Sequence, residues 1–222
     1  MLQKLRQFTR AQRLRLFNQF MSGVTGPVRL IDLGGTVKFW ETWGLAKQPL
    51  LDVTVVNSHE LDKCHQDDPI TLPNIHRLRA DVLNLTAADF AQYDVIFSNS
   101  LIEHLPGRQL QRQLAQAIIE SKRPYFMQTP NKRSPVDPHF PRPYVPFFAA
   151  YPRAVQARLL SWSALGSGSA APSYQAALER LSNYYPLTKR DIHSLFPQAR
   201  VVVERPMGVP MSIIAMSAGG RA

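Results

Sequence analysis

The chain has 222 residues, 45% hydrophobic and 19% charged, which is enough apolar content for one sizeable core and excludes wholesale disorder. No apolar run approaches the roughly 20 residues that span a bilayer. The lone cysteine, Cys64, excludes an internal disulfide and a cysteine-based zinc site, so a reducing, cytoplasmic setting is expected. The net charge of +10 favours acidic partners and is concentrated in two places: six basic and no acidic residues precede Asp32, and seven basic residues against two acidic ones fall in 120–160.

Residues 2–21 predict a helix, because Leu2, Leu5, Phe8, Leu16, Phe17 and Phe20 recur at three- and four-residue steps among Arg and Gln. Ser22-Gly23 and Gly26-Pro27 stop it. It has no continuous apolar stretch of the signal-peptide kind. Residues 1–26 therefore read as a basic amphipathic helix packed on a domain of residues 27–222, with a solvated basic face. The alternative is a weak contact of residues 1–22 with anionic membrane surfaces.

From Val28 strands and helices alternate. VRLIDLGG, LDVTVVN, IHRLRADV, YDVIFSNS and RPYFMQTPN predict five strands, with helical patterns at FWETWGLAK, LTAADFAQ and GRQLQRQLAQAIIESK. Thr86 is a plausible N-cap. Such alternation implies an α/β domain with a largely parallel sheet joined by right-handed crossovers. Eight of the 18 prolines then fall between Pro124 and Pro152, which excludes helix and central strand and predicts an ordered irregular lid. Helical patterns at about 151–162 and 173–183 complete an insertion spanning 131–185. TKRDIHSLF predicts a last helix capped by Thr188 with Asp191 at N3. ARVVVE and VPMSIIAM, joined by RPMGVP, predict an antiparallel hairpin.

The chemistry-bearing residues collect at strand ends. LIDLGGT, residues 30–36, runs a buried strand into Asp32 and a glycine pair before a helix, the position where open α/β sheets bind ligands. Asn57 ends the second strand, Asp81 follows the third, and Ser98, Asn99 and Ser100 end the fourth, with Glu103 and His104 just beyond. This row of polar groups along one sheet edge suits a nucleoside.

These motifs together resemble the class I S-adenosylmethionine-dependent methyltransferases of the small-molecule type with a methyltransferase-11-like domain. The resemblance covers about residues 28–132 and 186–217. LIDLGGT resembles the family's glycine-rich motif, FSNSLIEHL its fourth-strand motif, and YFMQTPNKRSPVDPHF its fifth strand and following turn. It implies a Rossmann-like seven-stranded, mostly parallel sheet with an antiparallel last strand, helices on both faces and an added N-terminal helix.

The resemblance further implies S-adenosylmethionine as cofactor. Asp32, Gly34, Gly35 and Thr36 would lie on its methionine and ribose side, Asn57 at the ribose, Asp81 and the Val82 backbone at the adenine, and Asn99 near the reacting methyl. Two departures stand out. Thr36 and Lys38 fill positions where the family commonly has glycine, and Asn57 replaces the usual ribose-binding acid, with Glu60 three residues on as a substitute. Methyl transfer needs a general base only for a hydroxyl or protonated amine acceptor; the candidates are His104, Glu103 and His139. Lys132, Arg133, Arg142 and Tyr144 are candidates for binding an anionic small-molecule acceptor. Asp137 and His139 lack a third ligand in sequence, so no metal is expected. The rival readings are a nucleic-acid-modifying methyltransferase and a non-catalytic scaffold on the same fold. A nicotinamide oxidoreductase is disfavoured, because the dinucleotide fingerprint spacing fails after Gly34.

Overall fold

The structure is a computed structural model that describes residues 2–24, 26–43, 50–58, 72–137, 139–140, 145–162 and 170–217, with backbone alone for 2–8. Seven strands form one sheet: β1 (Val28–Leu33), β2 (Leu51–Asn57), β3 (Ile75–Arg79), β4 (Val95–Asn99), β5 (Tyr125–Pro130), β6 (Arg200–Glu204) and β7 (Ser212–Met216). Their order is β3-β2-β1-β4-β5-β7-β6, and β7 alone runs against its neighbours. The helices are α1 (Leu2–Met21), α2 (Val37–Trp43), α3 (Ala87–Phe90), α4 (Arg108–Glu120), α5 (Arg153–Trp162), α6 (Tyr174–Ser182) and α7 (Lys189–Leu195).

The central strands are buried on both faces, as parallel strands covered by helices must be. In β1 the two-residue alternation sends Ile31 and Leu33 into one core, with α4 and α7, and Leu30 into the other, with α1 and α2. Asp32 follows the parity of Leu30 and so points into the α1/α2 core.

That second core is aromatic. Phe17 of α1 is fully buried, with ring centroids 5.3 Å from Phe97, 5.4 Å from Phe126, 6.2 Å from Trp40 and 5.9 Å from Trp43. The first helix thus packs into the sheet domain by its aromatic stripe. Both expected caps form capping boxes: Thr86 with Asp89 starts α3, and Thr188 with Asp191 starts α7. The first crossover helix begins at Val37, two residues before the expected start, because Thr36 accepts from the Phe39 N–H and opens the helix there.

Beyond β5, the described residues of the proline-rich stretch hold no α-helix and no strand of the sheet, and form a 3-10 turn at Phe148–Ala150. Phe148 is buried with Ala157, Leu160, Ala171, Ala177 and Leu181, a small core shared with α5 and α6. The expected terminal hairpin carries a 3-10 turn of its own, Pro206–Gly208.

Candidate functional site

Sheet register lines up the strand ends. The Gly34 N–H donates to Val56 O (2.8 Å), Ala80 N–H to Asn57 O (3.0 Å) and Ser100 N–H to Gln128 O (3.0 Å), while Leu33 pairs with Ser98 and Asn99 with Gln128. Asp81, Asn57, Gly34-Gly35 and Asn99 consequently fall in one row along the carboxyl edge.

Asp32 is fully buried. Its Oδ2 accepts from Trp40 Nε1–H at 2.7 Å, and its Oδ1 has no partner. Burial pushes its carboxyl group up to about 7, against the smaller opposing effect of the Trp40 bond. The carboxylate folds back over the turn, where a Cβ at Gly35 would stand 1.7 Å from Asp32 Oδ2. Gly34 has φ +75°, and a Cβ there would meet Leu101 Cδ1 at 2.7 Å. Both glycines are therefore required by this loop itself.

Asn57 Nδ2 donates to Gly35 O at 3.0 Å. Asp81 accepts from Leu83 N–H at 2.9 Å and caps the 3-10 turn Val82–Asn84, with Val82 buried beneath. Lys38 points to solvent. Glu60, Arg142 and Tyr144 lie outside the described residues.

Beyond Asn99 the edge opens into a pocket of about 250 Å³ lined by α1, β4, β5 and β7, with Arg10, Arg13, Asn99 and Gln128 in its wall. Arg13 is 9% exposed. It donates to Glu204 Oε2 (2.7 Å) and to Asn99 Oδ1 (2.5 Å), and Ser212 donates to the same Glu204 oxygen. Sequence reasoning missed Arg13, Glu204 and Trp40. The one available signal was spacing, since Arg13 stands one helical turn before Phe17 on the aromatic stripe. Ser100, at φ 67°, holds its hydroxyl on Gln128 Oε1 (3.0 Å).

The general-base candidates converge. Glu103 has no exposed surface; its Oε2 accepts from Thr129 Oγ1–H (2.9 Å) and its Oε1 has no partner. Desolvation pushes this carboxyl group up to about 7. His104 keeps one edge in solvent. Its Nδ1 lies 3.0 Å from Asn183 O and its Nε2 3.0 Å from His139 Nε2. Desolvation of the rest of the ring, and secondarily the neighbouring His139, lower its pKa. Asp137, bound by the Tyr184 hydroxyl at 2.6 Å, faces His139 Nδ1 at 3.6 Å. A second cleft of about 410 Å³ is lined by Arg108, Lys132, Arg153 and Tyr185, while Arg133 is exposed.

No protein-family model matches the sequence, and no curated protein matches it significantly. Solved structures do match. A candidate O-methyltransferase from Nostoc punctiforme aligns with TM-score 0.55 and 12% identity over 93% of this chain and 56% of that one. The N-terminal domain of EvdMO1 with S-adenosylhomocysteine bound gives 0.53 and 15% over 95% and 81%. Human N-acetylserotonin methyltransferase with S-adenosylmethionine gives 0.51 and 13% over 85% and 47%.

The chain has the Rossmann-like methyltransferase fold. It spans about half the length of the first and third of these proteins. Among the described residues, no helix is long and apolar enough to cross a membrane.

Proposed function

We propose that this chain is an S-adenosylmethionine-dependent methyltransferase acting on the hydroxyl group of a small, anionic acceptor. The observation that carries the reading is the single row of Asp81, Asn57, Gly34-Gly35 and Asn99 along the carboxyl edge of a methyltransferase-type sheet. Neighbours of the same fold hold S-adenosylmethionine or its demethylated product. The residues present suit that cofactor: the glycine turn brings backbone close, Asp32 Oδ1 is a buried acceptor without a partner, and Asp81 and Asn57 follow in the same row, where they would hold the adenine and the ribose. When bound, the cofactor supplies a methyl group already activated on a sulfonium.

The chain's own residues position the acceptor and take its proton. With Nδ1–H donated to Asn183 O, His104 keeps its basic lone pair on Nε2, and its lowered pKa keeps the ring neutral near pH 7. Glu103 and His139 flank it. Arg10 on the smaller pocket, and Lys132 and Arg153 on the larger cleft, favour an anionic group, whereas Arg13 and Arg108 beside them are already paired with Glu204 and Asp191. A nucleic-acid or membrane surface on α1 loses support, because Arg13 is buried against Glu204. The single cysteine fits a reducing compartment.

Calorimetric titration with S-adenosylhomocysteine tests the reading. Binding is expected to wild type, weakened by about 1–3 kcal/mol in Asp81→Ala and in Asn57→Ala, the scale of a lost hydrogen bond to a polar ligand. No heat with folded wild-type protein, or equal affinity in both variants, overturns it.

A further inference from the structure

We propose that Glu103, His104 and His139 form a binding site for a divalent transition-metal ion of the zinc class, with the two imidazole Nε2 atoms and the Glu103 carboxylate as ligands. The three residues come from different parts of the chain. Glu103 and His104 follow β4, and His139 is brought in by the proline-rich lid. One ligand atom from each lies within 4.8 Å of the others, and the two Nε2 atoms are 3.0 Å apart. Ligands about 2.1 Å from one ion stand roughly 3.0–3.4 Å apart, so the histidine pair already has the required spacing and the carboxylate is a small side-chain movement away.

The hydrogen bonding gives an independent reason. His104 Nδ1 faces the carbonyl oxygen of Asn183, which can only accept, so Nδ1 carries the proton and Nε2 carries a lone pair. His139 Nδ1 faces the carboxylate of Asp137, another acceptor, which calls for a proton there too and leaves a lone pair on its Nε2. Two neutral imidazoles would then aim lone pairs at each other across 3.0 Å. A cation between them resolves the conflict: His104 donates its other N–H to a backbone oxygen, and the buried His139 Nδ1, which has no hydrogen-bond partner, has the Asp137 carboxylate 3.6 Å away. A backbone acceptor of the His104 kind orients metal-binding imidazoles.

Glu103 supplies the third argument. Its side chain is fully buried, its Oε1 has no partner, and among the described residues no lysine or arginine pairs with it. Buried carboxylates are paired with a cation or neutralised. Two imidazoles and one carboxylate suit zinc-class ions better than magnesium or calcium, which prefer oxygen alone. Three ligands leave a fourth position open, and the exposed edge of His104 gives a route to it. With the ion bound, the His104 lone pair is taken up, and the ion rather than the free imidazole would promote loss of the acceptor's proton at that position; this use rests on the methyltransferase reading above, and the binding of the ion does not.

The test uses untagged full-length protein carrying Cys64→Ser, so that the lone thiol contributes nothing. Zn²⁺ is titrated in competition with a chromophoric chelator, and Co²⁺ is followed by its visible absorption. One ion per chain is expected. His104→Ala and His139→Ala should each weaken Zn²⁺ binding at least about ten-fold, and Glu103→Gln should shift the Co²⁺ spectrum. His139→Gln, a change on the lid, serves if His104→Ala fails to fold. Asp81→Ala should bind Zn²⁺ as wild type does. Absence of competition by the parent protein overturns the proposal and leaves the pair bridged by a proton on an imidazolium. Unchanged affinity in the histidine variants also overturns it, by placing the ion elsewhere. S-adenosylhomocysteine binding without Zn²⁺ binding refutes the metal site alone; Zn²⁺ binding without S-adenosylhomocysteine binding refutes the methyltransferase reading alone.

Discussion

At Asp32 the alternation of a buried strand puts a carboxyl group where a hydrophobic side chain would otherwise sit. Desolvation raises its pKa from 3.8 to about 7. The folded state therefore holds this proton more tightly than the unfolded state. The stability that this confers is fully present below about pH 4, falls as the pH rises through 7, and is absent above it, a change on the order of 4 kcal/mol. Asp32→Asn cannot ionise and keeps an oxygen for the Trp40 N–H. In urea denaturation, its stability relative to wild type should rise between pH 5 and pH 8. A constant difference across that range would mean that ionised Asp32 carries no desolvation cost. The same variant should bind S-adenosylhomocysteine more weakly, so this position trades stability against the proposed activity.

At the scale of elements, Phe17 decides whether α1 is part of the core. Phe17→Ala removes a ring from contact with Phe97, Phe126, Trp40 and Trp43, and should cost about 3–5 kcal/mol by thermal or chemical denaturation. A loss below about 1 kcal/mol would return α1 to the role of a loosely attached arm. All seven strands and the Thr86 and Thr188 caps were legible in the sequence, because each signal is local: an apolar run, a turn, a cap three residues from its partner. The row of Asp81, Asn57, Gly34-Gly35 and Asn99 was legible because a parallel sheet places every strand end on one edge. Arg13 was not. Its helix reads as basic, and the one local signal, its place a helical turn before Phe17 on the aromatic stripe, does not by itself tell a buried arginine from a solvated one. The Trp40 bond to Asp32 was hidden for a different reason: an indole in an apolar helix reads as packing alone. The meeting of Glu103, His104 and His139 depends on where the proline-rich stretch brings His139, and proline content predicts an irregular segment without saying where it goes.

For the whole molecule, the Arg13–Glu204 pair joins the first helix to the terminal hairpin across 191 positions of sequence. Removing one member of a buried pair strands the other, so Arg13→Ala should destabilise the protein by about 3–5 kcal/mol, whereas Arg13→Met combined with Glu204→Leu should recover most of that loss. A double variant as unstable as the single one would mean that the contact with Asn99, rather than the ion pair, holds α1 in place. The same pair also sets a clock on biosynthesis. Arg13 leaves the ribosome long before Glu204 exists, and at about 5–20 residues per second the gap between them takes roughly 10–40 s to translate. Throughout that interval the nascent helix has an aromatic stripe ready to dock and a guanidinium with no carboxylate to receive it. The aromatic core can therefore begin to collapse early, yet it becomes native only when the last two strands arrive.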